Sequence, residues 1–75
     1  MDFDQELDVT GLNCPLPILR TKRELAKLSS GQVLYVRATD PGSVRDFDAF
    51  ARQTGNILLR QETVEGVFSY WLRRK

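Results

Sequence analysis

The chain reads as an α/β two-layer sandwich of order β-α-β-α-β-β, with two helices on one face of a four-stranded mixed sheet. Three observations predict this. Glycines punctuate the chain regularly, at Gly11, Gly31, Pro41-Gly42, Gly55 and Gly66, and cut it into six short elements. Two of those elements carry helical spacing and four carry strand spacing. A strand-helix-strand opening calls for parallel neighbours, whereas a terminal hairpin must be antiparallel, so the sheet is mixed.

The first element runs from about Phe3 to Val9. Phe3, Leu7 and Val9 occupy alternate positions among acidic and amide residues, as in a half-buried strand. Thr10-Gly11-Leu12-Asn13 turns the chain. From about Pro15 to Leu28, the residues Ile18, Thr21, Leu25 and Leu28 follow 3-4-3 spacing and form one helix face, while Arg20, Arg23 and Lys27 lie on another. Ser29-Ser30-Gly31 stops that helix. Val33 to Ala38 is β-branched and aromatic with little polarity, which marks a central strand.

The fourth element spans about Val44 to Gln53. Ser43 is placed to cap it, Asp46 suits its first turn, and Val44, Phe47 and Ala51, with Phe50 beside them, make its apolar face. Gly55 fits the position just past its end. Ile57 to about Thr63 and Val67 to about Arg73 form a hairpin around Glu65-Gly66. Phe68, Tyr70 and Leu72 share one face of the last strand, and Trp71 lies on the other.

Composition narrows the function. The 75 residues predict a single domain spanning 1–75, and 41% hydrophobic content is enough for one core. A formal charge of +1 favours no nucleic-acid partner by itself. No apolar run approaches the roughly 20 residues that span a bilayer, and the acidic start MDFDQELDV does not read as a signal peptide. A cytoplasmic location is the expectation, and one unpaired cysteine suits a reducing compartment. Without histidine, Cys-His catalysis and most zinc sites are excluded; no metal or cofactor is expected.

The chemistry concentrates in GLNCPLPILRTK. Proline is tolerated in the first turn of a helix because its missing N–H has no partner there. With Cys14 as N-cap, Pro15 becomes the first helical residue and Pro17 the third, and neither disrupts the helix. The sulfur then lies in the positive field of the helix start, which favours thiolate. Leu16 supplies the N–H expected to reach the sulfur, and the prolines stiffen the loop. A thiolate is the nucleophile of sulfur exchange, and no second cysteine exists to discharge a persulfide as a disulfide. A lone cysteine is also commonly a small core hydrophobe; a core residue would have no use for two flanking prolines.

These residues are similar to the signature of the TusA/SirA-like sulfur-carrier family. The segment LDVTGLNCPLPILRTKREL carries Leu7, Asp8, Gly11, Leu12, Cys14, Pro15 and Pro17 in the family's pattern. TDPGSVRDFDAFARQTGN resembles its second signature through Asp40, Pro41, Arg45 and Asp46, and the ending YWLRRK resembles the family's end. The resemblance implies the same two-layer sandwich and a persulfide relay. Cys14 would receive sulfur from a cysteine desulfurase or rhodanese and pass it to a downstream acceptor protein, serving tRNA thiolation, sulfur oxidation or cofactor synthesis. It also implies a partner-binding role for Asp40 and Arg45. Leu16 departs from the family, which often has an acidic residue there.

Arg20, Lys22 and Arg23 are candidates for docking an acidic partner, as against a merely solvated helix face. Two other readings stand beside the carrier: an RNA-binding module using the open sheet face or basic helix, and a redox-sensing module acting through Cys14. Neither a membrane nor a nucleic acid is expected as a direct partner.

Overall fold

The computed structural model describes residues 1–75 and gives β1 (Gln5–Val9), α1 (Leu16–Ala26), β2 (Val33–Ala38), α2 (Ser43–Thr54), β3 (Ile57–Val64) and β4 (Val67–Arg73). The strands order β1-β2-β4-β3, with β1 parallel to β2 and the other pairs antiparallel. This is the predicted β-α-β-α-β-β arrangement. The extended, β-branched VLYVRA segment becomes an interior strand because both its edges are paired.

The core lies between the sheet and the helices. Leu34, Val36 and Ala38 of β2, with Tyr70 and Leu72 of β4 and Val9 of β1, are fully buried. Leu25 from α1 and Phe47 and Phe50 from α2 close over them. Phe47 stacks on Tyr70 with ring centroids 4.1 Å apart. Thr21 faces this core at no polar cost, because its hydroxyl donates to the Pro17 carbonyl at 2.8 Å.

The other sheet face is covered by side chains of the sheet itself. Phe3, Tyr35 and Trp71 form a row with centroids 5.1 and 4.8 Å apart, and the Arg60 guanidinium lies 5.8 Å from the Trp71 ring. Arg37 pairs there with Glu6 and Asp8. Trp71 is therefore buried although no helix covers it. Phe3 corrects the expected strand pattern: β1 begins two residues later, and Phe3 joins Tyr35 instead of sharing a face with Leu7 and Val9.

Turn chemistry accounts for the boundaries. Glu65 and Gly66 both have positive φ, 51° and 81°, which matches the right-handed twist of a two-residue hairpin. Gly55, at φ 82°, ends α2 with its N–H donating to the Ala51 carbonyl. Ser43 does not cap α2 as expected. Gly42 takes that position, and Ser43, now inside the helix, is buried with its hydroxyl 2.7 Å from the Tyr70 hydroxyl. The buried tyrosine hydroxyl needs that partner more than the helix needs a side-chain cap.

Candidate functional site

Because β1 and β2 are parallel and paired as far as Val9↔Ala38, their C-terminal ends lie side by side and feed the starts of both helices. Ligand and reaction sites of α/β sheets favour this end. The two loops are tied together where the Gly11 N–H donates to the Thr39 hydroxyl at 2.8 Å. The loop after β1 is shaped by Asp8, which accepts from both the N–H and the hydroxyl of Thr10. The Thr10 hydroxyl is the main reason the Asp8 carboxyl lies below its ordinary pKa.

Cys14 is exposed at this end. The Cys14–Pro15 peptide is cis, and α1 starts at Leu16 with Pro15 in the capping position. Cys14 thus stands one residue further out than expected, and Pro17 is the second helical residue. The Leu16 N–H is not free to reach the sulfur, because it donates to the Asn13 carbonyl at 2.9 Å. That bond closes the turn in which Cys14 sits.

Across from Cys14 lie two carboxylates. The Sγ is 3.8 Å from Oδ2 of Asp46, in the first turn of α2, in a geometry where the thiol donates. Asp40, in the loop after β2, completes a group whose three potential ligand atoms lie within 4.8 Å of one another. One Asp40 oxygen is buried without a hydrogen-bond partner. The expected thiolate-favouring environment is reversed. Restricted solvation around the sulfur, then the charges of Asp46 and Asp40, and then the Asp46 hydrogen bond, push the Cys14 thiol above its ordinary pKa. The α1 start cannot offset this, since the sulfur makes no bond to its N–H groups.

The remaining candidates divide between two grooves. Leu16, Arg20 and Arg23 line a groove of about 400 Å³ between α1 and β1, together with Leu7, Leu19 and Glu24. Leu16 and Leu19 are 43% and 50% exposed, so an apolar strip lies beside the two arginines. Lys22 points to the opposite side. It shares a groove of about 250 Å³ with Cys14, Pro15, Asp46 and Phe50, and its ammonium is 5.8 Å from the Phe50 ring centroid. Arg45 is exposed on α2 and lines neither groove. The structure therefore gathers Cys14, Pro15, Lys22, Asp40 and Asp46 around the sulfur and sets Arg20 and Arg23 apart.

Asp46 is the residue that local sequence reasoning misses. Read alone, it is a helix-start acid suited to the dipole. Its proximity to Cys14 arises from the parallel pairing of β1 and β2, a contact 32 residues apart in the chain. It belongs to the second signature segment, but nothing in that segment's own spacing sets it beside Cys14.

Fold and site together define a class: a small α/β domain presenting one cysteine at the junction of a strand end and two helix starts. The family model described as "Sulfurtransferase TusA" matches residues 5–74, and the chain belongs to this family. It is 63% identical over 73 residues to the sulfur carrier protein TusA of Allochromatium vinosum, covering 97% of this chain and 96% of that one. It is 54% identical over 71 residues to a putative sulfur carrier protein of Neisseria meningitidis, covering 95% and 96%. A crystal structure of a SirA-like protein from Desulfitobacterium hafniense is similar to it with TM-score 0.81 and 27% identity, covering 93% of this chain and 96% of that one.

Proposed function

We propose that this chain is a sulfur carrier that accepts sulfane sulfur as a persulfide on Cys14 from a donor enzyme and hands it to an acceptor protein. The observation that carries this reading is the sole cysteine, exposed at the end of the sheet where both helices begin. The Cys14 sulfur attacks the outer sulfur of a donor persulfide, the donor's S–S bond breaks, and the donor's inner sulfur leaves as a thiol. With no second thiol in the chain, the new persulfide survives until an external nucleophile takes its outer sulfur.

Pro15, Leu16 and Pro17 hold the sulfur outward by fixing the turn and the start of α1. The donor is a cysteine desulfurase or a rhodanese, and the acceptor serves tRNA thiolation, sulfur oxidation or cofactor synthesis in the cytoplasm. Arg20, Lys22, Arg23, Asp40 and Arg45 form the docking surface for these proteins, with Lys22 and Asp40 beside the sulfur and Arg20 and Arg23 in the neighbouring α1–β1 groove. No helix is long and apolar enough to cross a membrane. The RNA-binding alternative draws little support from the open sheet face, where Arg60 covers Trp71 and the Arg37 charge is met by Glu6 and Asp8.

The test is intact mass spectrometry after incubation with a cysteine desulfurase and cysteine, and separately with a rhodanese and thiosulfate. The wild-type chain gains one sulfur atom, and Cys14→Ser gains none. Sulfur on the Cys14→Ser variant, or none on the wild type from either donor, overturns the reading.

A further inference from the structure

Persulfide exchange moves a proton as well as a sulfur. The nucleophile starts as a thiol, and the leaving sulfur ends as one. A side chain positioned within hydrogen-bond reach of the sulfur can hold that proton during transfer and so speed the exchange. Asp46 occupies the required position. Its Oδ2 contacts Sγ at 3.8 Å, and it is anchored on a helix whose first turn is pinned by the Ser43–Tyr70 hydroxyl pair. Its backbone N–H donates to the Gly42 carbonyl, which fixes the carboxylate's origin. Arg45 before it and Asp48 two residues after it are exposed, and Asp48 pairs with Arg52 at 3.1 Å.

We infer that Asp46 is the proton-handling residue of the carrier, accepting the proton of the incoming thiol and returning it to the departing sulfur. The inference rests on the persulfide reading of Cys14. In loading, the Cys14 proton passes to the Asp46 carboxylate as Sγ bonds to the donor's outer sulfur. The donor S–S bond breaks with its electron pair on the inner sulfur, which takes the proton from Asp46. In discharge, the acceptor thiol gives its proton to Asp46 and attacks the outer sulfur. The S–S bond to Sγ breaks with its pair on Sγ, which is reprotonated by Asp46. No net oxidation occurs in either direction.

Four ionisable groups besides Cys14 itself belong to this surrounding: Asp46 on α2, Asp40 after β2, Lys22 on α1 along the same groove, and Tyr70 on β4. The Tyr70 hydroxyl is held up in pKa by burial first, with Asp40 and Asp46 adding to the effect against the Ser43 bond. Restricted solvation first, and then the Asp46 and Asp40 carboxylates, favour the thiol over the thiolate at the resting sulfur. This protects it from adventitious oxidation, which acts on the thiolate.

Two measurements on Asp46→Asn test the inference. The first is the pH profile of Cys14 alkylation by iodoacetamide. The wild-type midpoint lies above the value of about 8.5 for an ordinary cysteine, and in Asp46→Asn it falls, so alkylation at pH 7 accelerates several-fold. The second is discharge of the preloaded persulfide to dithiothreitol, followed by intact mass. Discharge slows by about tenfold to a hundredfold, the scale of losing one general acid-base group. The wild type is expected to discharge more slowly in D₂O, and Asp46→Asn is expected to lose that slowing. Asp46→Glu restores discharge in part, and Asp48→Asn, with the same charge change, alters neither readout. A gain in alkylation beside a loss in transfer is not what a merely structural defect produces. Discharge of Asp46→Asn at or above the wild-type rate overturns the inference. An unmoved alkylation midpoint overturns it equally, and that measurement needs no sulfur donor, so it stands apart from any failure of the carrier reading.

Discussion

The two helices begin at the same end of the sheet, close enough for Cys14 Sγ to lie 3.8 Å from Asp46 Oδ2, and are built on opposite principles. At the start of α2, Ser43 is buried and bonded to Tyr70, and Phe47 one turn on stacks against the same ring. At the start of α1, Cys14, Pro15 and Leu16 are exposed. The rigid beginning supplies the carboxylate, and the open beginning supplies the sulfur. Side chains needed for exchange must be reachable, and their partner must not move, so one helix start is packed in the core and the other faces solvent.

If this contrast holds, damage to the packed side chains of α2 acts through stability, whereas damage at its carboxylate or at the open start of α1 acts through sulfur chemistry. The largest effect on stability is expected from Phe47→Ala. It removes a fully buried ring from the centre of the core and costs about 3–5 kcal/mol, measured by urea unfolding. A loss below about 1 kcal/mol would mean that α2 is not pinned by this stack.

Ser43→Ala comes next. It leaves the Tyr70 hydroxyl buried without its partner, at a cost of about 1–3 kcal/mol. Tyr70→Phe strands the serine in turn, whereas the double variant Ser43→Ala/Tyr70→Phe is milder than the sum of the two, because both polar groups are then gone. Strict additivity in that cycle would show the hydroxyl pair to be incidental.

The same contrast explains what could be read in the sequence. All six elements and the sheet's mixed character follow from periodicity and glycine punctuation, since alternation in β4 and the 3-4-3 spacing in α1 report directly on which side is buried. Cys14 was legible as well, because two prolines mark a helix start locally. What escaped depended on contacts between distant segments. The cap of α2 moved from Ser43 to Gly42 because Tyr70, 27 residues away, claims the serine hydroxyl. The Cys14 thiol is pushed up instead of down because its solvation is restricted and because Asp46 and Asp40 arrive from another helix and loop. Phe3 crossed to the open face because Tyr35 offers it an aromatic neighbour. Local pattern determines elements, and the pairing of elements determines the site.

The smallest stability effect, and the sharpest functional one at α1, is expected from Leu16→Glu. Leu16 is 43% exposed, so its loss uncovers no core, and an acid in the first turn interacts favourably with the helix dipole by about 0.3–1 kcal/mol. Unfolding should therefore shift little or slightly upward. The side chain lines the groove with Arg20 and Arg23, on the other side of α1 from the groove that contains Cys14 and Lys22. Its charge should leave the alkylation profile of Cys14 nearly unchanged. An acidic donor surface seated over the two arginines would be repelled, and the KM for loading by that donor should rise while the rate at saturation holds. Unchanged loading kinetics would remove the α1–β1 groove from the docking surface and assign the approach to the groove that Cys14 shares with Lys22 and Asp46.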